Sequence, residues 1–293
     1  RTLRVSRYGD PDQRPSVGAG NLFADLIRSG RVETVRLTEI FRQASQSLIV
    51  MNAHAVNHGE PPVLNRTDRD FFFLRRRDPE TVVQTIAQLC QTRLPKNMGI
   101  PATEIQVLSP TRKGETGTKN LNLALQAVLN PPAAGKKEKR YGDFSFREGD
   151  RVMQIRNNYD ILWKNPNGLG AGTGIFNGDI GVIVQIDYEA ELVTVDFDDK
   201  RAEYSFDLLG ELEPAYAMTI HKSQGSEYRA VILSAFAGSP YLLTRSVLYT
   251  AITRARELLI VVGDEEVLAA MVRNDRRQKR YSGLKLRLEE GTA

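Results

Sequence analysis

The chain has 293 residues, 41% apolar and 26% charged, with a formal net charge of +4 and a pI near 9.1. These values describe a globular chain of one large or two smaller domains, mildly basic and compatible with a polyanionic partner. They exclude a disulfide framework, because Cys90 is the only cysteine, and a helical membrane span, because no run of about 18 apolar residues exists.

A single free thiol fits a reducing, cytoplasmic setting. The opening Arg1-Thr2-Leu3-Arg4 has no initiator Met and no signal-peptide pattern, and reads as the start of an excised fragment. Thr2 to Val5 reads as a strand remnant. Gly20 to Ser29, apolar at Leu22, Phe23, Leu26 and Ile27, predicts a short amphipathic helix ending at Gly30. Val32 to Leu37 reads as a strand and leads through Ile40-Phe41-Arg42-Gln43 into a helix ending near His58. Phe71 to Leu74 is a short strand. Pro79 to Arg93 reads as a helix, with Asp78 as N-cap and Pro at the first position. Ile105 to Ser109 is a buried strand, and Leu121 to Leu129 a helix. Strand and helix alternating in this way predict α/β layering around a parallel sheet.

The pattern changes near residue 131. Pro131 to Arg140 combines Pro, Gly and a charge run, and reads as a surface loop. Short strands follow at Arg151 to Arg156, Ile180 to Asp187, Leu192 to Phe197 and Arg201 to Phe206, separated by Gly and Asp turns. They predict a small antiparallel barrel. The α/β pattern resumes at Pro214. Tyr216 to His221 leads into a helix-like stretch, Val231 to Ser234 is a strand, Ser246 to Ala255 a helix, and Leu258 to Val262 a buried strand.

Four short segments carry chemistry. Gly9-Asp10-Pro11-Asp12-Gln13 places an Asp and a Gln on a turn; alternatively it is a plain type I turn. Arg42 stands between a strand and a helix, where a surface cation is the other reading. Tyr216 to Tyr228 reads YAMTIHKSQGSEY, a backbone-rich loop of small, hydroxylated and amide side chains around Gly225 that can approach phosphates. His221 by itself reads as structural. Val247 to Arg256 is mostly helix core, with an apolar face at Val247, Leu248, Ala251 and Ile252; Arg254 and Arg256 need not belong to that core.

In order, the four segments resemble motifs III, IV, V and VI of the superfamily 1 helicases. They are most similar to the RecD-like branch, which includes the exonuclease V alpha subunit. Its motif III, GDxxQLPSVGxG, compares with Gly9 to Gly20. The strings L-T-x-I-F-R-Q, Y-A-x-T-I-H-K-S-Q-G-S-E and Y-T-A-I-T-R-A recur at 37–43, 216–227 and 249–255. The resemblance extends to Ser109 to Gly114, Asn157 to Asp160 and Phe176 to Asp179.

The resemblance implies a RecA-like P-loop-NTPase-type parallel sheet, the second of two motor domains, with an inserted SH3-like barrel. The implied divisions are 1–35 for the tail of the first domain, 36–146 and 210–293 for the second, and 147–209 for the barrel. It implies an ATP-dependent 5′-to-3′ DNA helicase of recombination and repair, using ATP and Mg²⁺ on single-stranded DNA and duplex ends. Its partners would be the missing N-terminal motor domain and subunits of a recombination complex.

Roles follow by motif position. Arg254 matches the arginine finger and Arg42 the motif IV arginine on the same phosphate. Gln13 matches the glutamine that senses the γ-phosphate or its attacking water. Glu227 would lie near the ribose, with Gln224 and Gly225 beside the nucleotide. Thr111, Thr219, His221 and Ser223 would face the DNA backbone. The chain departs from the family at Arg14, where Leu is usual, and at Ser6, Arg7 and Tyr8, where the strand is usually apolar.

A motor also needs a G-x-x-x-x-G-K-[ST] loop and an acidic pair for Mg²⁺. Gly114 to Asn120 comes nearest, but its Lys119 comes too early and Asn120 replaces the hydroxyl. The expectation is a fragment without Walker A and B motifs, holding no metal and inactive alone. A non-catalytic alternative makes the barrel a nucleic-acid or protein-binding module, with Tyr159, Trp163 and Phe176 stacking on bases; these three read first as core fillers. A metal nuclease lacks support, because acidic and His ligands do not cluster.

Overall fold

The computed structural model describes residues 8–13, 20–35, 46–168, 170–236, 238–276 and 283–290. The centre is a parallel sheet of five strands: β1 (Phe71–Arg75), β2 (Ile105–Ser109), β12 (Ala217–Thr219), β13 (Tyr228–Ala235) and β14 (Ala255–Gly263). Their spatial order is β1-β14-β13-β2-β12.

Period-two alternation divides the strands between two faces. Val231, Leu233, Leu259 and Val261 point to one side, where α2 (Leu48–His58), α6 (Arg245–Ile252) and α7 (Glu265–Arg273) pack. Ala230, Ile232, Leu258, Ile260 and Val262 point to the other. There they meet α3 (Pro79–Gln88), α4 (Leu94–Met98) and α5 (Thr118–Leu129). Strands apolar on both faces must be covered on both, which is consistent with the α/β layering that the alternation implied. Among the described residues, no helix is long and apolar enough to cross a membrane.

Most predicted elements are present, with shifted ends. Asp78 Oδ1 accepts from Thr81 N at 2.8 Å and starts α3 as expected. The helix then runs past Arg93 through a π-turn (Leu89–Arg93) into α4, and stops at Gly99 with φ of 64°. Pro95 does not end it. Proline cannot donate to the preceding turn and crowds the carbonyl four residues back, and the widened turn just before it absorbs both effects. Cys90 lies in that turn, where burial pushes its thiol up to about 12.

α1 (Leu22–Ser29) is capped by Asn21 and ends on left-handed Gly30. The strand expected at Val32 to Leu37 is not seen over Val32 to Val35; both valines are exposed, with no sheet neighbour. Residues 36–37 and the Thr2 to Val5 strand lie outside the described residues.

Between α5 and β12 the chain builds an antiparallel insert. Its first part is a hairpin, β3 (Glu138–Tyr141) and β4 (Phe144–Arg147), which includes residues read from sequence as loop. The charges there had masked it: Lys139 and Arg140 are strand residues with water on one side. Seven more strands form one antiparallel sheet. They are β5 (Arg151–Gln154), β6 (Asn158–Lys164), β7 (Ala171–Ile175), β8 (Ile180–Asp187), β9 (Leu192–Phe197), β10 (Lys200–Ser205) and β11 (Leu212–Pro214). Their order is β11-β5-β8-β9-β10-β6-β7. Val152, Ile183, Val195, Phe197 and Tyr204 fill a core separate from both faces of the parallel sheet. β6 was not read from the sequence, and β7 escaped because it is AGTGI, a run with little strand propensity.

A polar knot ties the insert to the sheet. Asp150 has no exposed surface. Its Oδ1 accepts from Asn130 Nδ2 at 2.7 Å and Tyr216 OH at 2.9 Å. Its Oδ2 accepts from Gln126 Nε2 at 2.6 Å and Arg147 N at 2.7 Å. Four donors from α5, its C-terminus, β4 and the approach to β12 thus converge on one carboxylate.

Candidate nucleotide and nucleic-acid facing site

α6 begins on a Thr244 cap, whose Oγ1 accepts from Val247 N at 3.4 Å. It buries Val247, Leu248, Ala251 and Ile252 and ends in a turn that leads directly into β14. Arg254 stands in this turn and is only 6% exposed. Its Nη1 donates to Ser226 O at 2.8 Å and its Nε to Thr250 O at 3.2 Å. Its Nη2 donates to Gln13 Oε1 at 3.2 Å and to Thr253 Oγ1 at 3.4 Å. Every one of these acceptors is neutral. A guanidinium taken from water without a carboxylate partner is costly, and an incoming anion would relieve that cost.

Gln13 is brought to Arg254 by its own turn. Asp12 N donates to Asp10 Oδ1 at 3.0 Å and Gln13 Nε2 to Asp10 Oδ2 at 3.4 Å. Tyr249 OH, from α6, donates to the same Asp10 Oδ2 at 2.7 Å. Asn57 Nδ2, from α2, donates to Asp12 Oδ2 at 3.1 Å. The segment Gly9 to Gln13 is therefore pinned to two helices through its carboxylates. Burial and the neighbouring Asp10 carboxylate push the Tyr249 hydroxyl well above its ordinary pKa, so it stays a donor. The departure noted at Tyr8 is visible as a fully exposed ring; Ser6, Arg7 and Arg14 lie outside the described residues.

The segment after β12 is a series of turns, not the helix-like stretch expected. Lys222 N and Ser223 N both donate to Thr219 O, at 2.9 and 3.3 Å, and Ser226 N to Ser223 O at 3.1 Å. Hydroxyl and Gly residues favour such local bonding over a continuous helix. Gly225 has φ of 85°, with open space where a Cβ would point. Its backbone is accessible, as a phosphate-approaching loop requires. Glu227 is exposed beside Ser226, and Gln224 and His221 are half-buried. Ser223 is wholly buried, its hydroxyl donated to Ile220 O at 2.8 Å, so the fold does not bring it to the surface.

Register divides these residues between two edges. Tyr228 pairs with Ala255 at the starts of β13 and β14, so Arg254, Ser226 and Glu227 lie on the N-terminal edge of the sheet. Ser109 pairs with Thr219 at the ends of β2 and β12, so Thr219 and Thr111 lie on the C-terminal edge. The loop 220–227 joins the two edges directly. Thr111 is held by Ser109, whose Oγ accepts from Thr111 N at 3.2 Å.

The loop after β2 is closed tightly, because a Cβ on Gly117 would lie 2.4 Å from Lys113 O. Lys119 turns away from the start of α5 and donates to Asp143 Oδ2 at 2.8 Å. The stretch Gly114 to Asn120 thus lacks a phosphate-facing lysine. Arg42 lies outside the described residues. Among the described residues no His, Cys, Asp and Glu cluster to hold a metal.

Sequence reasoning missed Asp10, Tyr249 and Asn57 as positioning residues. Asp10 had a signal, as the acid three residues before Gln13, but Tyr249 and Asn57 had none. The three barrel aromatics divide. Trp163 packs against the barrel core, while Tyr159 is 66% exposed and Phe176 37% exposed. The two exposed rings meet edge-on at 5.5 Å, and Lys200 Nζ lies 5.8 Å from the Phe176 centroid.

The arrangement is a parallel α/β sheet carrying an antiparallel insert, with a buried arginine leading into its last strand. Residues 121–197 match the ATP-dependent RecD-like DNA helicase SH3 domain, 214–262 the UvrD-like helicase C-terminal domain, and 1–73 an AAA domain. The chain belongs, over the region it spans, to the RecD-like helicases.

It is 33% identical to the ATP-dependent RecD2 DNA helicase of Deinococcus radiodurans, across 89% of this chain and 32% of that protein. It is 28% identical to the RecBCD enzyme subunit RecD of Mycobacterium tuberculosis, across 98% of this chain and 49% of that protein. The chain thus spans half or less of these relatives. A Bacteroides Pif1 helicase solved with ADP-AlF3 and ssDNA aligns at 17% identity with a TM-score of 0.42, covering 81% of this chain and 53% of that one.

Proposed function

We propose that this chain is the phosphate-sensing and strand-gripping part of an ATP-dependent DNA helicase. The observation that carries the reading is Arg254, a buried guanidinium whose hydrogen-bond acceptors among the described residues are all neutral, held in contact with Gln13. The terminal phosphate of ATP would supply the missing anion, and positive charge placed there stabilises the transition state of phosphoryl transfer. Gln13, oriented by Asp10 and Tyr249, would position the attacking water. Arg42 would reach the same phosphate, and Gln224, Gly225 and Glu227 would flank the rest of the nucleotide.

Thr111, Thr219, His221 and Ser223 are assigned to the strand edge, Ser223 by shaping the loop from inside. Because loop 220–227 touches both edges, a shift at the phosphate is passed to the strand through covalent chain. The family resemblance supports 5′-to-3′ translocation on single-stranded DNA in recombination and repair, in the cytoplasm. Residues 1–35 are assigned to the end of a first motor domain, and 147–209 to the barrel. That first domain would bring the Walker A loop and the Mg²⁺ ligands.

The chain alone is then expected to hydrolyse no ATP, with or without oligothymidylate. Turnover by the purified chain that Arg254→Ala abolishes would sink this reading.

A second reading makes the barrel a binding module, favoured by the exposed Tyr159 and Phe176 with Lys200 beside them. Stacking on such rings contributes about 1–3 kcal/mol per base. Deleting the barrel from a full-length enzyme should then abolish unwinding and spare DNA-stimulated ATP turnover. Unwinding that survives the deletion rejects it.

A further inference from the structure

A cleft of about 500 Å³ opens where the insert meets the parallel sheet. Its walls are mostly apolar: Leu123 from α5, Tyr141 and Phe144 from the β3–β4 hairpin, Met153 from β5, and Pro214 and Met218 from the return to the sheet. Leu123 and Tyr141 are exposed, so their apolar surface is not used by any core. Thr219, the residue at the strand edge, borders the same cleft.

Three cations and two carboxylates border it, so that cations are in excess. Arg112 Nη2 and Lys222 Nζ both bind the Glu213 carboxylate, at 2.8 and 2.6 Å. Lys119 Nζ binds Asp143 at 2.8 Å. Arg112 follows Thr111, and Lys222 follows His221. Glu213 therefore clamps together the two loops assigned to the DNA backbone and holds their cations at the mouth of the cleft.

We infer that this cleft receives a nucleobase of the bound single strand. A planar ring fits apolar walls with an aromatic face, and the phosphates on either side of it fit a rim of cations. The volume lies within the range of sites that enclose small ligands, roughly 300–1,000 Å³. An apolar peptide side chain would use the same walls, but would have no use for the cation rim or for Thr219. The inference rests on the strand-gripping reading and adds what holds the bases.

The test compares two fluorescein-labelled octamers by anisotropy with the 293-residue chain. One is octathymidylate; the other carries abasic sites throughout, with the same phosphates. Octathymidylate should bind at least about tenfold more tightly, as expected for stacked bases. Tyr141→Ala and Leu123→Ala, both at exposed positions, should each narrow that ratio to about twofold or less, and Tyr141→Phe should restore it. A ratio unchanged in both alanine variants, or near one in the wild type, overturns the base site and leaves the strand edge standing. Binding of neither octamer overturns the strand edge, and the base site with it.

Discussion

Arg254→Ala, introduced into a full-length enzyme that contains this chain, is expected to lower ATP turnover by roughly 10³-fold or more, the range for removed arginine fingers. Affinity for single-stranded DNA should change little, because Thr111 and Thr219 lie on the opposite edge of the sheet. The variant also strips a donor from Ser226 O and Thr250 O, so some loss of stability is expected. Arg254→Lys separates the two effects. An ammonium keeps the charge but cannot reproduce a planar fork that serves several acceptors at once. It should therefore restore much of the stability and little of the turnover. Steady-state turnover, DNA affinity and thermal unfolding measured on both variants provide the check. Turnover and DNA binding lost in parallel would make Arg254 a keystone of the fold.

Asp150→Ala is expected to destabilise the chain by about 3–5 kcal/mol, since removing the acceptor leaves buried donors unsatisfied at about 1–3 kcal/mol each, with incomplete additivity. Four donors lose their acceptor: Asn130, Tyr216, Gln126 and the Arg147 amide. For a domain of this size the melting temperature should fall by roughly 10 °C.

The pH dependence is separately informative. Burial raises the Asp150 carboxyl above the usual carboxylate range, against hydrogen bonds that pull it down. A raised folded value means that the folded state holds the proton more tightly than the unfolded chain. The resulting stabilisation is complete below the ordinary carboxylate value of about 4 and is lost as pH rises above it. Asp150→Asn cannot titrate. The stability difference between wild type and Asp150→Asn should therefore shrink as pH rises from about 4 towards neutrality. A difference that is flat across that range would remove Asp150 as the titrating group. Denaturant unfolding at several pH values measures it.

Much of the fold was legible locally. The centres of β13, Ala230 to Leu233, and of β14, Leu258 to Val262, are apolar without a break, as strands buried on two faces must be, and Asp78-Pro79 marks a helix start through capping. The β3–β4 hairpin was hidden because four of its eight residues are charged, leaving too few apolar positions to show a period. The helix expected over Pro79 to Arg93 runs on to Met98, because a π-turn can carry a proline that a regular helix cannot. At the site, the motif strings located Arg254, Gln13 and Gly225 as residue types in sequence.

The sequence by itself determined the family, the alternation of strand and helix, and the residue types available to meet a phosphate. Those are encoded over a few neighbouring positions, where periodicity, capping and turn preference act. Only the tertiary structure decided that Gln13 and Arg254 touch across 241 positions, that Ser223 points inward, and that Arg254 is buried among neutral acceptors. Those facts depend on which distant backbones pack together and how much water they displace, and neither is a property of any short stretch of chain.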